Sequence, residues 1–278
     1  MSAARFDDEE EEAPSEREEA ALAAAWEAME LGDCEAALGI LREVDPRWPD
    51  RWIAEATACT EVGDLARART LVNRARDEAD LADHPDTLWA HGQLCLREWD
   101  LSGARTAFGR LVEMERSAGA LERLSLCLEF DGDFPVADAL LEEAASLDPE
   151  FTAPPRVSSE RFARVIEEAI ETLPPEVRPP LETTEIVVEP VPSEWMIDKA
   201  DCSETSPDML GLFTGTSQLD RSGDGVELPS RIYLFQRNLE RVTRDEQELL
   251  TEIRITLFHE IGHMLGFDEE GVAGMGLE

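Results

Sequence analysis

Lysine is almost absent from this sequence, since Lys199 is the only lysine among 25 basic residues. The 63 aspartates and glutamates far outnumber these cations and give a formal net charge of −38. A surface this acidic repels phosphate backbones and anionic lipid headgroups. The composition therefore argues against nucleic acids and membrane surfaces as partners.

Long apolar runs are missing too, because no stretch reaches the roughly 18 residues that a membrane-spanning helix needs. The first residues lack a basic segment followed by an apolar core, so no secretory leader is predicted. The cysteines are odd in number and lack metal-type spacing, and all except the last lie in predicted helices, where a thiol packs as a small apolar group. We therefore expect a cytoplasmic protein. The cysteines are Cys34, Cys59, Cys95, Cys127 and Cys202.

A chain of 278 residues with 42% hydrophobic content is long enough for two domains with their own cores. Residues 1–16 contain the acidic run from Asp7 to Glu12 and are predicted to be a disordered tail. Residues 17–150 consist largely of helix-forming residues and are predicted to be helical repeats. Residues 151–157 form a short extended linker, and 158–278 form the second domain.

The region 17–150 repeats one pattern four times. Pairs of turn residues recur 31, 36 and 33 residues apart, at Gly32-Asp33, Gly63-Asp64, Trp99-Asp100 and Gly132-Asp133. Five residues after the start of each pair comes an alanine, and four residues later a large apolar residue. These positions are Ala37 and Leu41, Ala68 and Val72, Ala104 and Phe108, and Ala137 and Leu141. The alanine lets the two helices of a hairpin approach closely, and the large side chain fills the space beside it.

This pattern resembles the tetratricopeptide repeat (TPR), whose period is about 34 residues. The resemblance implies an all-α domain of stacked helical hairpins, and such solenoids usually present a concave groove to a peptide or a partner protein. An irregular helical bundle is the alternative that the uneven spacing leaves open.

Near the C-terminus, residues 259–263 read His-Glu-Ile-Gly-His. On a helix this pattern brings two imidazoles about 5–6 Å apart at Cβ, so His259 and His263 can bind one zinc ion. Glu260 is rotated away from them and can act as a general base on water. A capping box from Thr243 to Glu246 is predicted to begin this helix. Its apolar stripe consists of Leu249, Leu250, Ile253, Leu257, Ile261 and Leu265.

Gly266 is predicted to end the helix in a left-handed cap, which lets the chain fold back. Glu269 then occupies the third-ligand position of the pattern H-E-x-x-H-x-x-G-x-x-[His/Asp/Glu], with Asp268 close enough to compete. Two imidazoles and one carboxylate are typical of a catalytic zinc site that keeps room for water. Non-haem Fe(II) also suits this set, but the glutamate after the first histidine favours zinc. We predict one Zn²⁺ held by His259, His263 and Glu269.

Further segments upstream share a pattern with known proteins, namely residues 162–174, 185–189, 210–215 and 228–235. With the histidine motif they make the chain from about Ser158 onward resemble the bacterial minimal zincin-like family of zinc metallopeptidases. The resemblance implies a small α+β domain with a sheet beside the motif helix. It also implies that His259 and His263 are metal ligands and that Glu260 is the base.

The predicted fold class is therefore a two-domain chain, with an all-α TPR-like domain followed by a small α+β zincin-like metallopeptidase domain. The predicted function is zinc-dependent hydrolysis of peptide bonds, with the repeats recruiting a peptide or protein partner. The alternative is a non-catalytic adaptor in which the metal only stabilises the C-terminal domain. The sequence predicts neither the substrate nor the oligomeric state.

Overall fold

A computed structural model describes residues 14–175, 177–199, 206–217, 229–268 and 271. The chain divides into two compact units, the first ending at Glu98 and the second beginning at Trp99. Most of the predicted acidic tail, residues 1–13, lies outside the described residues. The boundaries predicted between sequence domains stay a prediction.

The described part of the first unit is helical. Helix α1 packs against α2, α3 packs against α4, and α5 contacts both α3 and α4. A short 3₁₀ segment, Leu41–Glu43, continues α2. The bounds are α1 (Glu16–Glu30), α2 (Cys34–Ile40), α3 (Pro49–Glu61), α4 (Leu65–Asp77) and α5 (Pro85–Arg97).

The second unit begins with three helices and ends in a small α+β region. The predicted fold class is thus confirmed, with a helical part followed by a three-stranded sheet. Its helices are α6 (Leu101–Met114), α7 (Ala118–Phe130), α8 (Phe134–Leu147), α9 (Ser159–Thr172), α10 (Arg178–Leu181), α11 (Gln236–Arg241) and α12 (Glu246–Leu265). Its strands are β1 (Glu185–Glu189), β2 (Gly211–Thr214) and β3 (Arg231–Phe235), with a 3₁₀ segment at Glu194–Lys199.

The repeated sequence pattern has a repeated structural counterpart. Gly32, Gly63 and Gly132 have φ angles of 80°, 83° and 78°, and Trp99, at the third of the four turns, has φ 59°. The left-handed conformation reverses the chain, which explains why three of these positions are glycine. All four repeat alanines are fully buried, and the large partners are at most 2% exposed. The packing positions predicted from the repeat are therefore confirmed.

The sheet has the order β1-β3-β2. Strand β3 is central, running parallel to β1 and antiparallel to β2. Its alternate side chains enter two different cores, because successive residues of a strand face opposite sides. Ile232 and Leu234 pack with α9 and α12, whereas Tyr233 and Phe235 pack with Met196 and Leu212.

One stripe of α12 anchors it to the sheet and to α9. Leu249, Ile253 and Leu257 are fully buried and Ile261 is 3% exposed, with Leu250 and Leu265 packed beside them. The predicted apolar stripe is therefore confirmed, and it fixes the rotation of the helix about its axis. No helix among the described residues is long and apolar enough to cross a membrane.

The predicted start of α12 is wrong by two residues. Asp245, not Thr243, caps the helix, and its side chain accepts a hydrogen bond of 2.9 Å from the Glu248 amide. Glu248 in turn accepts a bond of 2.9 Å from the Arg244 amide. Thr243 is buried and donates to the carbonyl of Leu239, so it completes the end of α11 instead.

A buried ionic network ties α7 and α8 to the α+β region inside the second unit. Glu129 of α7, which is fully buried, contacts Arg156 at 3.0 Å and also pairs with Arg241. Glu240 of α11, 1% exposed, contacts Arg156 at 2.7 Å. Asp138 of α8 lies 2.8 Å from Arg156 and 2.7 Å from Arg237.

Arg156, in the segment predicted to be a linker, is the centre of this network. Burial lowers the pKa of its guanidinium, but the carboxylates of Glu129, Glu240 and Asp138 outweigh burial and raise that pKa above its ordinary value. The arginine therefore stays charged throughout the accessible pH range. The neighbouring Val157 amide donates to Glu240 at 3.2 Å, so the segment is held by both side chain and backbone.

Candidate metal centre

The two histidines of the motif converge on one point. His259 and His263 lie one turn apart on α12, and their Nε2 atoms are 2.9 Å apart. Their ring centroids are separated by 4.6 Å, with the rings nearly perpendicular at 78°. Both residues are half-buried.

The second ring nitrogen of His263 is held by the backbone. Its Nδ1 lies 3.1 Å from the carbonyl oxygen of Phe267. Because a carbonyl only accepts, Nδ1 must carry the proton, which leaves the lone pair of neutral His263 on Nε2. In proteins, a metal-binding histidine commonly donates its other ring N–H to a backbone carbonyl, and this hydrogen bond orients the ring.

These two nitrogens suit a zinc ion. Zn–N bonds of about 2.0–2.1 Å at a tetrahedral angle place two nitrogen ligands about 3.3 Å apart, so small ring rotations suffice. Among the residues that the structure describes, no group of three or more His, Cys, Asp and Glu side chains is positioned to hold a metal. Glu269, predicted as the third ligand, lies outside those residues. Its role therefore stays a prediction.

The chain does turn back after the histidines, as expected. Gly266 has φ 101° and ψ 18°, and its amide bonds to the carbonyls of Gly262 and His263. Phe267 closes the same turn with a bond of 3.0 Å to the Gly262 carbonyl. The left-handed cap predicted at Gly266 is confirmed. Asp268, the competing third ligand, is exposed and accepts a bond of 2.9 Å from the Gly271 amide.

Glu260 faces the sheet. Its side chain is 7% exposed and lies against Gly211 at the start of β2. A Cβ added at Gly211 would meet Cγ and Oε1 of Glu260 at 2.9 Å and Cγ2 of Thr256 at 2.7 Å. Only glycine therefore allows β2 to approach this close to the helix. The contact fixes where the carboxylate lies relative to the strand.

Gly211 is the site residue whose importance sequence reasoning missed. It lies in the segment 210–215 that carried the family resemblance, but no role was predicted for it. A glycine inside a strand pattern was the signal available, because it often marks a close approach of backbone to another group.

Strand β2 lies at an edge of the described sheet. The amide of Phe235 donates to the carbonyl of Leu210 at 2.9 Å, and Leu212 and Thr214 face Tyr233 and Arg231 in the same register. In an antiparallel pair, alternate residues turn their backbone groups away from the partner. Gly211 and Phe213 therefore direct their N–H and C=O groups to the outer side of β2.

The cysteines that the structure describes take no part in this site. No disulfide joins the described ones, and Cys59 and Cys127 are buried in the helical part. Burial raises the pKa of the Cys59 thiol to about 11 and that of Cys127 to about 12. Such thiols are inert packing groups, as predicted. Cys202 lies outside the described residues.

The C-terminal part of the chain matches a known family. The model of the zincin-like metallopeptidase family matches residues 181–277, a range that includes the three strands and α12. The resemblance inferred from the sequence is thus confirmed for this region. No curated protein matches the chain.

One solved structure with a similar chain is titled "MamA RS-1 ArsTM double mutant". It is 20% identical in sequence, the alignment covers 49% of this chain and 78% of that one, and the TM-score is 0.38. A similarity this low carries no argument about the fold or function of the present chain.

Proposed function

We propose that this protein is a zinc-dependent metallopeptidase that hydrolyses peptide bonds. The observation that carries the proposal is the convergence of the His259 and His263 Nε2 atoms, 2.9 Å apart, next in sequence to a buried carboxylate. The match of residues 181–277 to a metallopeptidase family supports the same reaction.

His259, His263 and Glu269 would hold one zinc ion, with Asp268 as the alternative carboxylate. When bound, the ion supplies a Lewis acid that lowers the pKa of water toward about 7. The hydrogen bond from His263 Nδ1 to the Phe267 carbonyl keeps the metal-binding nitrogen of that ring correctly oriented.

Glu260 acts as the general base. Its carboxylate takes a proton from the water molecule as the water oxygen bonds to the carbonyl carbon of the peptide. The same carboxylic acid then gives that proton to the amide nitrogen, the C–N bond breaks, and an amine and a carboxylic acid leave. The contact with Gly211 holds the carboxylate beside the strand where the substrate binds.

The substrate binds in extended form along β2. Strand β3 is already paired on both sides, whereas β2 lies at an edge of the described sheet. The outward N–H and C=O groups of Gly211 and Phe213 can hydrogen-bond an added antiparallel strand. That strand lies next to Glu260, because Gly211 itself touches this side chain.

The helical repeats recruit a protein or peptide partner to the chain. Fully buried alanines at the four repeat positions support this role, and so does a cavity between helices of the first unit. Recruitment and hydrolysis are separate properties and can fail separately.

Replacement of Glu260 by Gln tests the enzymatic proposal. We expect turnover of a mixture of peptides to fall by about 10²–10⁴-fold, because the amide cannot take the proton. Zinc content, measured by elemental analysis, should stay near that of the wild type. Glu252→Gln on the same helix is the matched control and should leave turnover unchanged. His263→Ala should lose both metal and turnover.

Equal turnover in the wild type and the Glu260→Gln variant would remove the catalytic proposal. A wild-type chain that binds zinc but cuts none of a wide range of peptides would favour the adaptor. In that case the metal would serve only to stabilise the C-terminal region, and chelation would lower its melting temperature without any enzymatic effect.

A further inference from the structure

The first unit contains a cavity of about 800 Å³ between helices α1, α3 and α5. Trp26 of α1 and Trp89 of α5 line it from two sides, and Thr57 lies between them on α3. Both tryptophans are half-buried, so each presents part of an apolar ring to the cavity. This volume lies in the range of cavities that bind a small ligand or several side chains of a peptide.

Carboxylates surround this apolar floor. Glu30, Asp33, Glu35 and Glu61 line the cavity and are exposed to solvent. No arginine, lysine or histidine lines it among the residues that the structure describes. Glu30, Glu35 and Glu61 form no ion pair with any other described residue. The described residues therefore leave the charge of these three carboxylates without an ionic partner.

The negative charge affects a side chain on the wall of the cavity. Cys34 lies on its wall, and its thiol pKa is raised by burial and then by the carboxylates of Glu61 and Asp33. Glu61 ends α3 and Asp33 caps α2, so the two carboxylates come from different helical hairpins. Their combined field favours a cation beside these carboxylates.

The protein itself is a poor source of that cation. The acidic run Asp7–Glu12 has the wrong sign, and a second copy carries the same net charge of −38. The occupant must therefore come from another molecule that is basic and that offers apolar side chains to Trp26 and Trp89.

We propose that the cavity lined by Trp26, Trp89, Glu30, Glu35 and Glu61 binds a basic segment of a partner protein, with arginine or lysine side chains beside the carboxylates and apolar side chains against the tryptophans. The proposal deepens the recruiting role given to the repeats and does not depend on peptidase activity. The partner class is thus a cationic, partly apolar peptide segment.

The probes are four short synthetic peptides of equal length. One alternates arginine with leucine, the second replaces arginine with glutamate, the third replaces it with glutamine, and the fourth keeps arginine but replaces leucine with glycine. Binding to the full-length Glu260→Gln protein is measured by calorimetry, since that variant should not cut the probe. We expect the arginine–leucine peptide to bind tightest, and raising salt from about 0.05 M to about 0.5 M to weaken it.

A charge-reversed variant locates the binding site. Glu30→Lys, Glu35→Lys and Glu61→Lys together should weaken the arginine–leucine peptide by about tenfold to hundredfold. The matched control is Glu27→Lys, Asp77→Lys and Asp80→Lys. These three residues are exposed acids of the same unit that do not line the cavity, and the change in net charge is identical. The control should change the dissociation constant by less than about threefold.

Equal losses in the two triple variants would overturn the proposal, because general attraction to an acidic protein would explain the binding. Equal binding of the glutamate or glutamine peptide, or no binding of any probe, would overturn it as well. If the cavity variant and the wild type bind the arginine–leucine peptide with equal affinity, the proposed site is wrong. The peptide would then bind elsewhere on the protein. Turnover measured separately decides the peptidase proposal, so the two failures are distinguishable.

Discussion

The first unit leaves Glu30, Glu35 and Glu61 exposed around a cavity, whereas the second unit buries Glu129 and Glu240 among arginines. An exposed carboxylate keeps its water shell and costs little, so its charge remains available to a ligand. A buried carboxylate loses several kcal/mol of solvation and persists only with charged partners. Buried glutamates provide internal cohesion in both units, since Glu55 of the first unit pairs with Arg51 and Arg67. The exposed acids around the cavity are the ones to which we assign recognition.

The largest effect expected from this contrast is on stability. Glu129→Ala should destabilise the protein by about 3–5 kcal/mol, because it removes a fully buried carboxylate that pairs with Arg156 and with the buried side chain of Arg241. Urea denaturation, followed by circular dichroism, measures the loss. Glu143→Ala is the control, since Glu143 pairs with Arg116 on the surface, where solvent screens the pair, and its loss should shift the urea midpoint far less. Equal losses in both variants would mean that burial does not set the strength of these pairs.

The second prediction concerns Glu260, a buried carboxylate that we assign to chemistry. Gly211→Ala should cost about 1–3 kcal/mol of stability, because the added methyl overlaps Thr256 and Glu260. It should also lower the turnover of protein that is still folded, since the added methyl displaces the carboxylate of Glu260. Gly109→Ala is the control, because nothing lies within 4 Å of a Cβ there. That mid-helix change should instead stabilise by up to about 1 kcal/mol. A Gly211→Ala protein with wild-type stability and turnover would show that the close approach is unimportant.

The smallest effect concerns the thiols, for which the two units should behave alike. Burial raises the pKa of Cys59 to about 11 and of Cys127 to about 12, from an ordinary value of 9.0. Because these pKa values are raised in the folded state, the stability they contribute is complete below pH 9.0. It declines as the pH rises toward 11, where the unfolded chain gains thiolates first. Maleimide labelling of the native protein against pH should leave both thiols unmodified near pH 8. Rapid labelling of either one there would contradict their burial.

Local patterns in the sequence were enough to predict much of this structure. The alanines and large apolar residues of the repeats, the stripe of α12 and the turn at Gly266 each depend on residues within a few positions of one another. Helical periodicity and glycine conformation determine such features directly. The histidine pair is of the same kind, since a spacing of four on a helix brings His259 and His263 together.

Features that depend on distant residues were not predictable. Arg156 meets Glu129 across 27 positions and Glu240 across 84, and Arg241 meets Glu129 across 112. No pattern in the sequence indicates which of many acids and arginines will pair. The helix start was misplaced for a related reason, because Thr243 and Asp245 both suit a cap and the end of α11 selects between them. The third ligand stays a prediction from spacing, with Glu269 as the expected residue and Asp268 as the alternative.

The position of Arg156 bears on how this protein could have been assembled from modules. A fragment beginning at Ser158 would carry Arg237, Glu240 and Arg241 but leave behind the acids and the arginine that complete their ion pairs. The α+β region therefore loses part of its ionic network when the chain is cut just before α9. Helices α7 and α8 must be kept with this region, because they carry the acids that pair with Arg237 and Arg241. A gene rearrangement that separates them would leave these arginines without their acids.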